Sequence, residues 1–445
     1  MSELDRRLSG LSAEKRALLM QQLARRSGAD TQQEIGRRPR PERLPLSSAQ
    51  QRLWILDRLD PGNSVYNVTA LTRLTGRLDV DALERTLGEI VRRHESLRTV
   101  FVQDAEGPMQ RILPPAPMRL VHHDLADLPS EAREEAARIL VREDATAPFD
   151  LERGPMLRAQ LIRMVEGTWL LSLSAHHIAI DGWSVSVIFR ELSALYPAFL
   201  AGEPSPLPEL PIQYVDYTLW QRDEADGSAM RGHLDYWTAR FRALPPVLDI
   251  PADRSRPPVQ SYRGDVCLHL LPASLLEGIR QLSRQEGATP FMVFLAAFQT
   301  LLYRYSGLED IVVGVGNANR PRRELETLVG FFINTLPMRA DLSGNPTFRE
   351  LLAQVRTTTL DSYAHQDLPF ERLLESVNVE RRLSHNPLFQ TMVFYQNFPE
   401  SSLHLPGLTL ENVPVENAHS GTARADLSIF ASEHADGLRM LLEYA

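Results

Sequence analysis

The chain of 445 residues is 43% hydrophobic and 24% charged, and its formal net charge at pH 7 is -9. This acidic composition argues against nucleic acid and anionic membranes as partners, and no apolar run is long enough to span a bilayer. Single hydrophobic cores stop growing at about 250–300 residues, so we expect two domains or lobes.

The N-terminus lacks the apolar stretch of a secretory signal, which predicts a cytoplasmic protein. Cys267 is the single cysteine, so an internal disulfide and a cysteine-based metal cluster are excluded, and we predict no bound metal. Lys15 is the single lysine, which excludes a Schiff-base or phosphate-loop lysine elsewhere in the chain.

The first 45 residues are expected to lie outside the main fold. Residues 1–45 comprise an amphipathic helical pattern over 11–26 and a linker rich in arginine and proline. The body of the fold is expected to start at Leu46. Asp81 and Glu84 have the spacing of a capping box, and a helical pattern of apolar residues follows them.

The most informative pattern lies at residues 176–182, which read His-His-Ile-Ala-Ile-Asp-Gly. An apolar segment ends at the two histidines and a helical pattern follows the glycine, which indicates a strand, a tight loop and a helix. Successive side chains of a strand point to opposite faces, so His176 and His177 cannot both enter one cavity. One imidazole can serve as a base near neutral pH while the other supports the loop. The alternative is a buried structural pair with Asp181 as its hydrogen-bond partner.

The second half of the chain carries clear local signals. Proline-rich stretches at 202–211 and 244–258 mark the connection between the halves, and we predict an N-terminal lobe over 46–220 and a C-terminal lobe over 221–445. The local signals are a helix from Thr289 and Pro290 to Gly307, a buried strand at Ile311–Val313, a helix over Thr347–Tyr363 and a hairpin turning at Asp436 and Gly437. Strands and helices alternate in both halves, which predicts an α/β fold of two lobes.

Two other patterns have structural rather than chemical interpretations, and one catalytic motif is absent. Gly314-Val315-Gly316 lacks the third glycine of a dinucleotide-binding loop and is predicted to be a turn. His122-His123-Asp124 has no following glycine or helix and is predicted to be a surface loop. The chain has no Gly-x-Ser-x-Gly sequence, which argues against a serine hydrolase.

Seven segments resemble, in order, the motifs of the condensation domain of nonribosomal peptide synthetases. They are Ser47–Trp54, Arg93–Phe101, His176–Gly182, Tyr214–Trp220, Gly330–Pro337 with Arg339, His365–Glu371 and Arg381–Leu388. The last departs from the family pattern, because His385 stands where an arginine is usual. The seven together are highly specific, whereas the double-histidine motif alone also occurs in related acyltransferases.

The resemblance implies an α/β fold of two chloramphenicol-acetyltransferase-like lobes, arranged in a V with a tunnel at their interface. Substrates would arrive on the phosphopantetheine arms of donor and acceptor peptidyl carrier domains, or as acyl-CoA, and the domain itself would bind no cofactor. The α-amine of the acceptor aminoacyl thioester would attack the donor acyl or peptidyl thioester, and an amide bond would form.

The two histidines would divide the work of the loop. His177 is expected to hydrogen-bond the attacking amine, either as general base or as stabiliser of the developing ammonium. His176 would pack and hydrogen-bond behind the loop.

Four further residues would support the site. The family pattern implies that Asp181 holds the loop through a salt bridge to Arg98. Gly182, which has no side chain, would let the tunnel wall approach the thioester closely. Asn334 would either border the site as a polar neighbour or be purely structural.

The first motif resembles condensation domains that take an L-configured donor or a fatty-acyl starter. If Met1 is the native start, the donor must arrive in trans, which favours a starter role in lipopeptide biosynthesis over L-type elongation. The chain stops inside an expected strand, so we infer a domain excised from a larger synthetase with an adenylation domain downstream in cis.

Other members of the fold remain as alternatives. The fifth motif argues against an epimerisation domain, and the aspartate-rich motif of heterocyclisation domains is absent. A catalytically inactive module that recruits a partner enzyme is disfavoured because His177 is intact. A wax-ester or related acyltransferase is disfavoured by the first and sixth motifs.

Overall fold

The computed structural model describes residues 34–225, 227–377, 379, 382, 384–396, 403–413 and 421–445, so the helix predicted over 11–26 and Arg381 of the seventh motif lie outside it. The described helices are α1 (Ser48–Leu59), α2 (Val80–Arg93), α3 (Ser130–Thr146), α4 (Gly182–Leu200), α5 (Tyr214–Glu224), α6 (Ser228–Arg240), α7 (Ala273–Gln285), α8 (Pro290–Ser306), α9 (Phe348–Ala364) and α10 (Phe370–Ser376). The described strands are β1 (Asn67–Gly76), β2 (Thr99–Asp104), β3 (Gly107–Ile112), β4 (Val121–Asp124), β5 (Leu157–Val165), β6 (Thr168–His176), β7 (Asp265–Pro272), β8 (Asp310–Asn317), β9 (Asn334–Asp341), β10 (Thr391–Gln396), β11 (Leu408–Asn412), β12 (Leu427–His434) and β13 (Gly437–Tyr444). None of the helices described here combines the length and apolar character needed to cross a membrane.

Five strands form the N-terminal sheet, in the order β11-β1-β6-β5-β4. Helix α3 packs on one face and buries Leu170 of β6, whereas α2 and α4 cover the other face and bury Leu171 and Leu173. The change of face between Leu170 and Leu171 follows the period of two of a strand. Strand β6 therefore delivers its last residue, His176, from the centre of a sheet that is covered on both faces.

Six strands form the C-terminal sheet, in the order β7-β13-β12-β10-β8-β9. Strands β12, β10 and β8 are parallel to one another, and the remaining neighbours are antiparallel. Helices α7, α8 and α9 bury one face of this sheet, including Val393 and Ile429. The opposite face, which carries Phe394 and Phe430, lines a cavity shared with residues of the N-terminal sheet.

Strand β11 joins the two halves of the chain. It belongs to the C-terminal half in sequence, but it pairs with β1 at the edge of the N-terminal sheet, with Leu408 opposite Gly76. Gly76 has φ of 133°, and a side chain there would lie 2.2 Å from the carbonyl oxygen of Gly407, so the position requires glycine. Residue 220, where the boundary between the lobes is predicted, lies inside helix α5, so the helix continues through it.

The segment that precedes α1 lies against the N-terminal lobe, although it has the composition of a linker. Ile35 is 2% exposed, and Arg37 donates hydrogen bonds to the carbonyl oxygens of Leu210 and Pro211. Residues 34–45 are therefore a packed part of the fold.

Several local predictions are confirmed. The Thr289 side chain caps α8 by accepting a hydrogen bond from the Met292 amide, and Pro290 is the first helical residue. Gly307 ends this helix in the left-handed conformation, with φ of 71°. The buried strand at 311–313 lies within β8, Thr347 caps α9, and the last hairpin turns before Gly437.

Three local predictions are wrong. Asp79, not Asp81, caps α2, because the Asp79 carboxylate accepts a hydrogen bond from the Ala82 amide at 2.8 Å. His122–Asp124 is not a loop but part of the edge strand β4, which pairs with β5. Gly314 and Gly316 lie within β8 and do not form a turn, since the rings of neighbouring phenylalanines occupy the space a side chain would need.

Candidate active site

The two histidines at the end of β6 lie on different sides of the backbone, as strand alternation predicts. The His177 amide donates to the Tyr66 carbonyl at 2.7 Å, and the His176 amide donates to the Met156 carbonyl at 3.3 Å. His177 lines the cavity between the sheets. His176 is buried against the rings of Tyr66 and Phe149, and its Nδ1 accepts a hydrogen bond from the Ile178 amide. The structure thus brings one imidazole to the cavity and places the other behind the loop.

The orientation of the His177 ring is fixed by its own loop. Nδ1 lies 2.7 Å from the carbonyl oxygen of Ile180, and a carbonyl oxygen can only accept, so Nδ1 carries the hydrogen. The ring also meets the edge of Phe331, with the ring centres 5.0 Å apart. Nε2 is left as an unprotonated acceptor in a residue that lines the cavity.

The His177 ring is neutral over the physiological pH range. Burial lowers the pKa of His177 from 6.5 to about 3, and the positive charge of Arg424 acts in the same direction. Burial likewise lowers the pKa of His176 to about 3. The imidazole is 8% exposed and uncharged at neutral pH, so Nε2 has a lone pair available to a group bound in the cavity.

Asp181 holds the loop to the start of α4. It is fully buried, and its Oδ1 accepts hydrogen bonds from the amide and hydroxyl of Ser184 at 2.8 and 2.7 Å. Its Oδ2 accepts from the Phe332 amide at 3.1 Å. The guanidinium of Arg320 completes the shell, with Nη2 at 2.9 and 3.1 Å from the two carboxylate oxygens.

The predicted salt bridge between Asp181 and Arg98 is wrong. Arg98 donates to the carbonyl oxygens of Leu113 and Arg92, and its nearest carboxylate is Glu95 at 3.7 Å. Arg98 therefore holds the short turn between α2 and β2. The partner of Asp181 comes instead from the C-terminal half, because the segment after β8 brings Arg320 under the loop.

Gly182 and Asn334 have different relations to the cavity. Gly182 lines the cavity wall, and a Cβ built there meets no atom within 4 Å, so the absent side chain leaves open space beside His177. Asn334 donates to the carbonyl oxygens of Gln366 and Leu368 and accepts from the Phe370 amide. These bonds attach the start of β9 to the segment before α10, which favours the structural interpretation of Asn334.

Both halves of the chain line the cavity, which encloses about 1180 Å³. The N-terminal half contributes Asn67 of β1 and the loop with His177. The C-terminal half contributes Gly316, Phe394 and further residues of β10, β12 and β13. A cavity of this size exceeds the usual upper limit of about 1000 Å³ for a pocket that holds one small molecule.

A protein-family model described as the condensation domain matches residues 41–445. The chain belongs to the condensation domain family. One of the proteins of the linear gramicidin synthase of Brevibacillus parabrevis is 49% identical to this condensation domain over 408 residues, which cover 91% of the chain and 5% of that protein. Phosphinothricin tripeptide synthetase PhsC of Streptomyces viridochromogenes is 44% identical over 403 residues, which cover 90% of the chain and 37% of that protein. The condensation domain thus spans only a part of each relative.

Solved structures support the fold of the condensation domain. The X-domain from teicoplanin biosynthesis, in its complex with OxyB, aligns with a TM-score of 0.82 at 30% identity. The alignment covers 93% of this chain and 90% of that chain. The predicted α/β fold of two chloramphenicol-acetyltransferase-like lobes is confirmed.

Two arginines of this condensation domain site escaped the sequence prediction. Arg320 lies in a segment with three arginines among four residues, and nothing in the sequence separates it from its neighbours. Arg424 lines the cavity, and its Nε donates to the Val65 carbonyl at 3.1 Å, next to the Tyr66 carbonyl that binds the His177 amide. A buried Asp181 carboxylate is expected to need a cationic partner, but which arginine supplies the charge depends on tertiary structure.

Proposed function

We propose that this condensation domain joins a donor acyl or peptidyl thioester to the α-amine of an acceptor aminoacyl thioester through an amide bond. The observation that carries the proposal is the ring of His177. It is neutral, it is fixed through Nδ1, and Nε2 is its free nitrogen beside a cavity that both lobes line.

The reaction needs one group that takes up and returns a proton. The acceptor amine attacks the donor carbonyl carbon, and Nε2 of His177 accepts the proton that the amine loses as the C–N bond forms. Collapse of the tetrahedral intermediate breaks the C–S bond, and the departing thiolate takes the proton from the imidazolium. The neutral ring is regenerated. A thioester is already activated, so holding both substrates together in the cavity contributes much of the rate.

The proposed partners are two carrier domains that present the thioesters on phosphopantetheine arms, with an adenylation domain downstream in the same synthetase. The relatives are much longer than this domain, which accords with a role inside a multidomain synthetase. A cavity of about 1180 Å³, larger than the usual pocket for one small molecule, supports a site that receives two substrates. His177 lies in the wall of the cavity that would hold both substrates.

For the donor, we favour an aminoacyl or peptidyl thioester over a fatty-acyl starter. Phosphinothricin tripeptide synthetase PhsC, which is 44% identical to this chain, supports this choice through its name. The starter reaction remains the second candidate because the first motif, Ser47–Trp54, resembles both classes. A direct comparison of the two donors distinguishes these candidates.

The X-domain from teicoplanin biosynthesis raises the question of a recruiting module, since it was solved in a complex with OxyB. A module that only recruits a partner has no use for a buried base facing a cavity. Here His177 keeps its hydrogen bond to Ile180, and Asp181 keeps a complete set of partners. These contacts favour an active enzyme.

The test offers the domain one acceptor-loaded carrier and either an aminoacyl-loaded carrier or octanoyl-CoA as donor, with amide product measured by mass spectrometry. We expect product from the aminoacyl donor. Product from octanoyl-CoA alone would assign the starter reaction instead. No product from either donor, nor from octanoyl and aminoacyl pantetheine thioesters, would refute amide-bond formation by this domain.

The pH dependence should reflect the low pKa of His177. Because the pKa of His177 lies near 3, Nε2 stays free of a proton down to pH 5. The acceptor α-amine itself takes up a proton near pH 8, so kcat/KM is calculated for the unprotonated amine and should then show no decline near pH 6.5. Replacing Arg424 with glutamine removes a charge that lowers the pKa of His177, so the acid decline should move to higher pH. A wild-type profile that, calculated for the unprotonated amine, still falls with an apparent pKa of 6 to 7 would contradict the neutral buried base.

The same pKa values set a separate trend in stability. The unfolded histidines take up protons below about pH 6.5, whereas the pKa values of His176 and His177 in the folded protein lie near 3. The free energy of unfolding should therefore fall as pH drops from 6.5 toward 3. Denaturant unfolding at each pH separates this loss from the kinetic profile.

A further inference from the structure

A row of apolar residues crosses the face of the C-terminal sheet that lines the cavity. On neighbouring strands Phe394 lies opposite Phe430, Phe430 opposite Leu441, and Leu441 opposite Leu268. All four side chains line the same cavity as His177. We call Phe394, Phe430, Leu441 and Leu268 the apolar row.

The aromatic end of the apolar row consists of two stacked rings that line the cavity. The rings of Phe394 and Phe430 are stacked, with centres 4.7 Å apart and planes 6° apart. Phe394 lies against Gly316, where a Cβ would meet the ring at 2.3 Å, so glycine is needed to let this ring lie flat on the sheet. Both rings are only half-buried, although they line the interior of the protein. A ligand that covers this apolar surface is stabilised by about 25 cal/mol for each Å² of surface removed from water.

Polar residues flank the apolar row on both sides. Ser432 and Arg439 are cross-strand neighbours one step along the strands, and both line the cavity. On the other side lies Glu443, whose carboxylate accepts a hydrogen bond from the Arg424 amide. On this face of the sheet the apolar row is therefore a narrow strip, which suits an extended chain.

The length of the strip discriminates between the two substrates. Phe394 and Leu268 are three strand spacings apart, or about 14 Å at about 4.8 Å per spacing. That length corresponds to about four residues of extended chain. An acceptor brings one amino acid, whose side chain is too short to cover the strip, whereas a peptidyl or long acyl donor brings a chain that can cover it.

We propose that the apolar row binds the acyl portion of the donor, an extended chain with apolar groups, and that it raises kcat/KM for long apolar donors above that for short or polar ones. The proposal rests on the proposed function and deepens it by naming the chemical class of the donor. A peptidyl chain with apolar side chains and a fatty-acyl chain share this chemistry. The experiment separates them.

The experiment compares two matched leucines on one strand. Leu268 lines the cavity, whereas Leu270, on the same face of β7, is not part of the cavity wall, and the two are 49% and 45% exposed. The variants are Leu268→Ser, Leu441→Ser and, as control, Leu270→Ser. Donors are acetyl, octanoyl, glycylglycyl and leucylleucyl pantetheine thioesters, with one fixed acceptor. Thermal unfolding verifies that each variant is folded.

We expect Leu441→Ser and Leu268→Ser to lower the preference for leucylleucyl over glycylglycyl donor, in kcat/KM, by about tenfold, the size of effect that small changes in an apolar pocket have. The control should keep the wild-type preference. A selective loss for octanoyl over acetyl donor alone would assign a fatty-acyl chain to the row. Equal ratios in wild type and in both row variants would overturn the proposal.

A binding measurement keeps this test independent of the chemistry. In the background of His177→Ala, calorimetry with the thioether analogues of leucylleucyl and octanoyl pantetheine reports affinity without turnover. Weaker binding to the row variants than to Leu270→Ser supports the row, even where no donor yields product. Equal binding, or no binding of either analogue in the His177→Ala background, overturns it.

Discussion

Replacing His177 with alanine should lower the rate of amide formation by about 10²–10⁴-fold, the usual contribution of a positioned general base. The physical reason is that Nε2 is the free acceptor on a neutral ring beside the cavity, and alanine offers no group to take the amine proton. Product formation in single-turnover reactions, with loaded carriers or pantetheine thioesters, measures the effect.

Two controls separate the chemistry of His177 from its packing. His122→Ala removes a histidine whose side chain is 48% exposed, outside the cavity wall, and should keep the wild-type rate. Imidazole added to His177→Ala should restore part of the rate, because it can supply the missing base to the vacated space. Full activity of a folded His177→Ala protein would contradict the assignment of the base.

The second large effect concerns the buried pair of Asp181 and Arg320. The side chains are 0% and 1% exposed, and removing one partner leaves the other charge uncompensated inside the protein. Asp181→Ala should therefore lower the free energy of unfolding by about 3–5 kcal/mol. Activity should fall as well, since the loop that presents His177 loses its attachment to α4. Denaturant unfolding and product formation measure the two losses.

A double-mutant cycle identifies the true partner of Asp181. Asp181→Ala and Arg320→Ala should be far from additive, because the second change costs little once the first has been made. Asp181→Ala and Arg98→Ala should be additive, since Arg98 binds Leu113, Arg92 and Glu95 instead. Additive effects in the first cycle would contradict the pairing seen in the structure.

Predictions from sequence were accurate where a few neighbouring residues determine the conformation. Thr289, Pro290 and Gly307 delimit α8 through hydrogen bonds and backbone angles within a single helix, so the pattern is sufficient. The side chains of His176 and His177 diverge for a similarly local reason. Asp79 and Asp81 show that such patterns locate a helix start only to within about two residues. Both are carboxylates near the start of α2, and only the geometry identifies Asp79 as the cap.

Predictions were wrong where the deciding neighbour is distant in sequence. Asp181 pairs with Arg320, 139 residues away, and the chain contains many arginines with equal claim to that role. Gly314 and Gly316 have the composition of a turn, yet they lie in a strand because the rings of Phe389 and Phe394 occupy their side-chain space. These outcomes follow from packing between elements, which periodicity does not reveal.

The placement of β11 has a consequence for how the chain reaches its native state. During synthesis β1 emerges early, but its outer edge, which includes Thr72, stays unpaired until Asn412 of β11 has been synthesised. The contact between Arg424 and Val65 closes over 359 residues. Such long-range pairing slows folding, and an unpaired strand edge is a site of aggregation. The N-terminal lobe is therefore expected to remain incomplete on the ribosome until nearly the whole domain has been made, and to depend on chaperones during that interval.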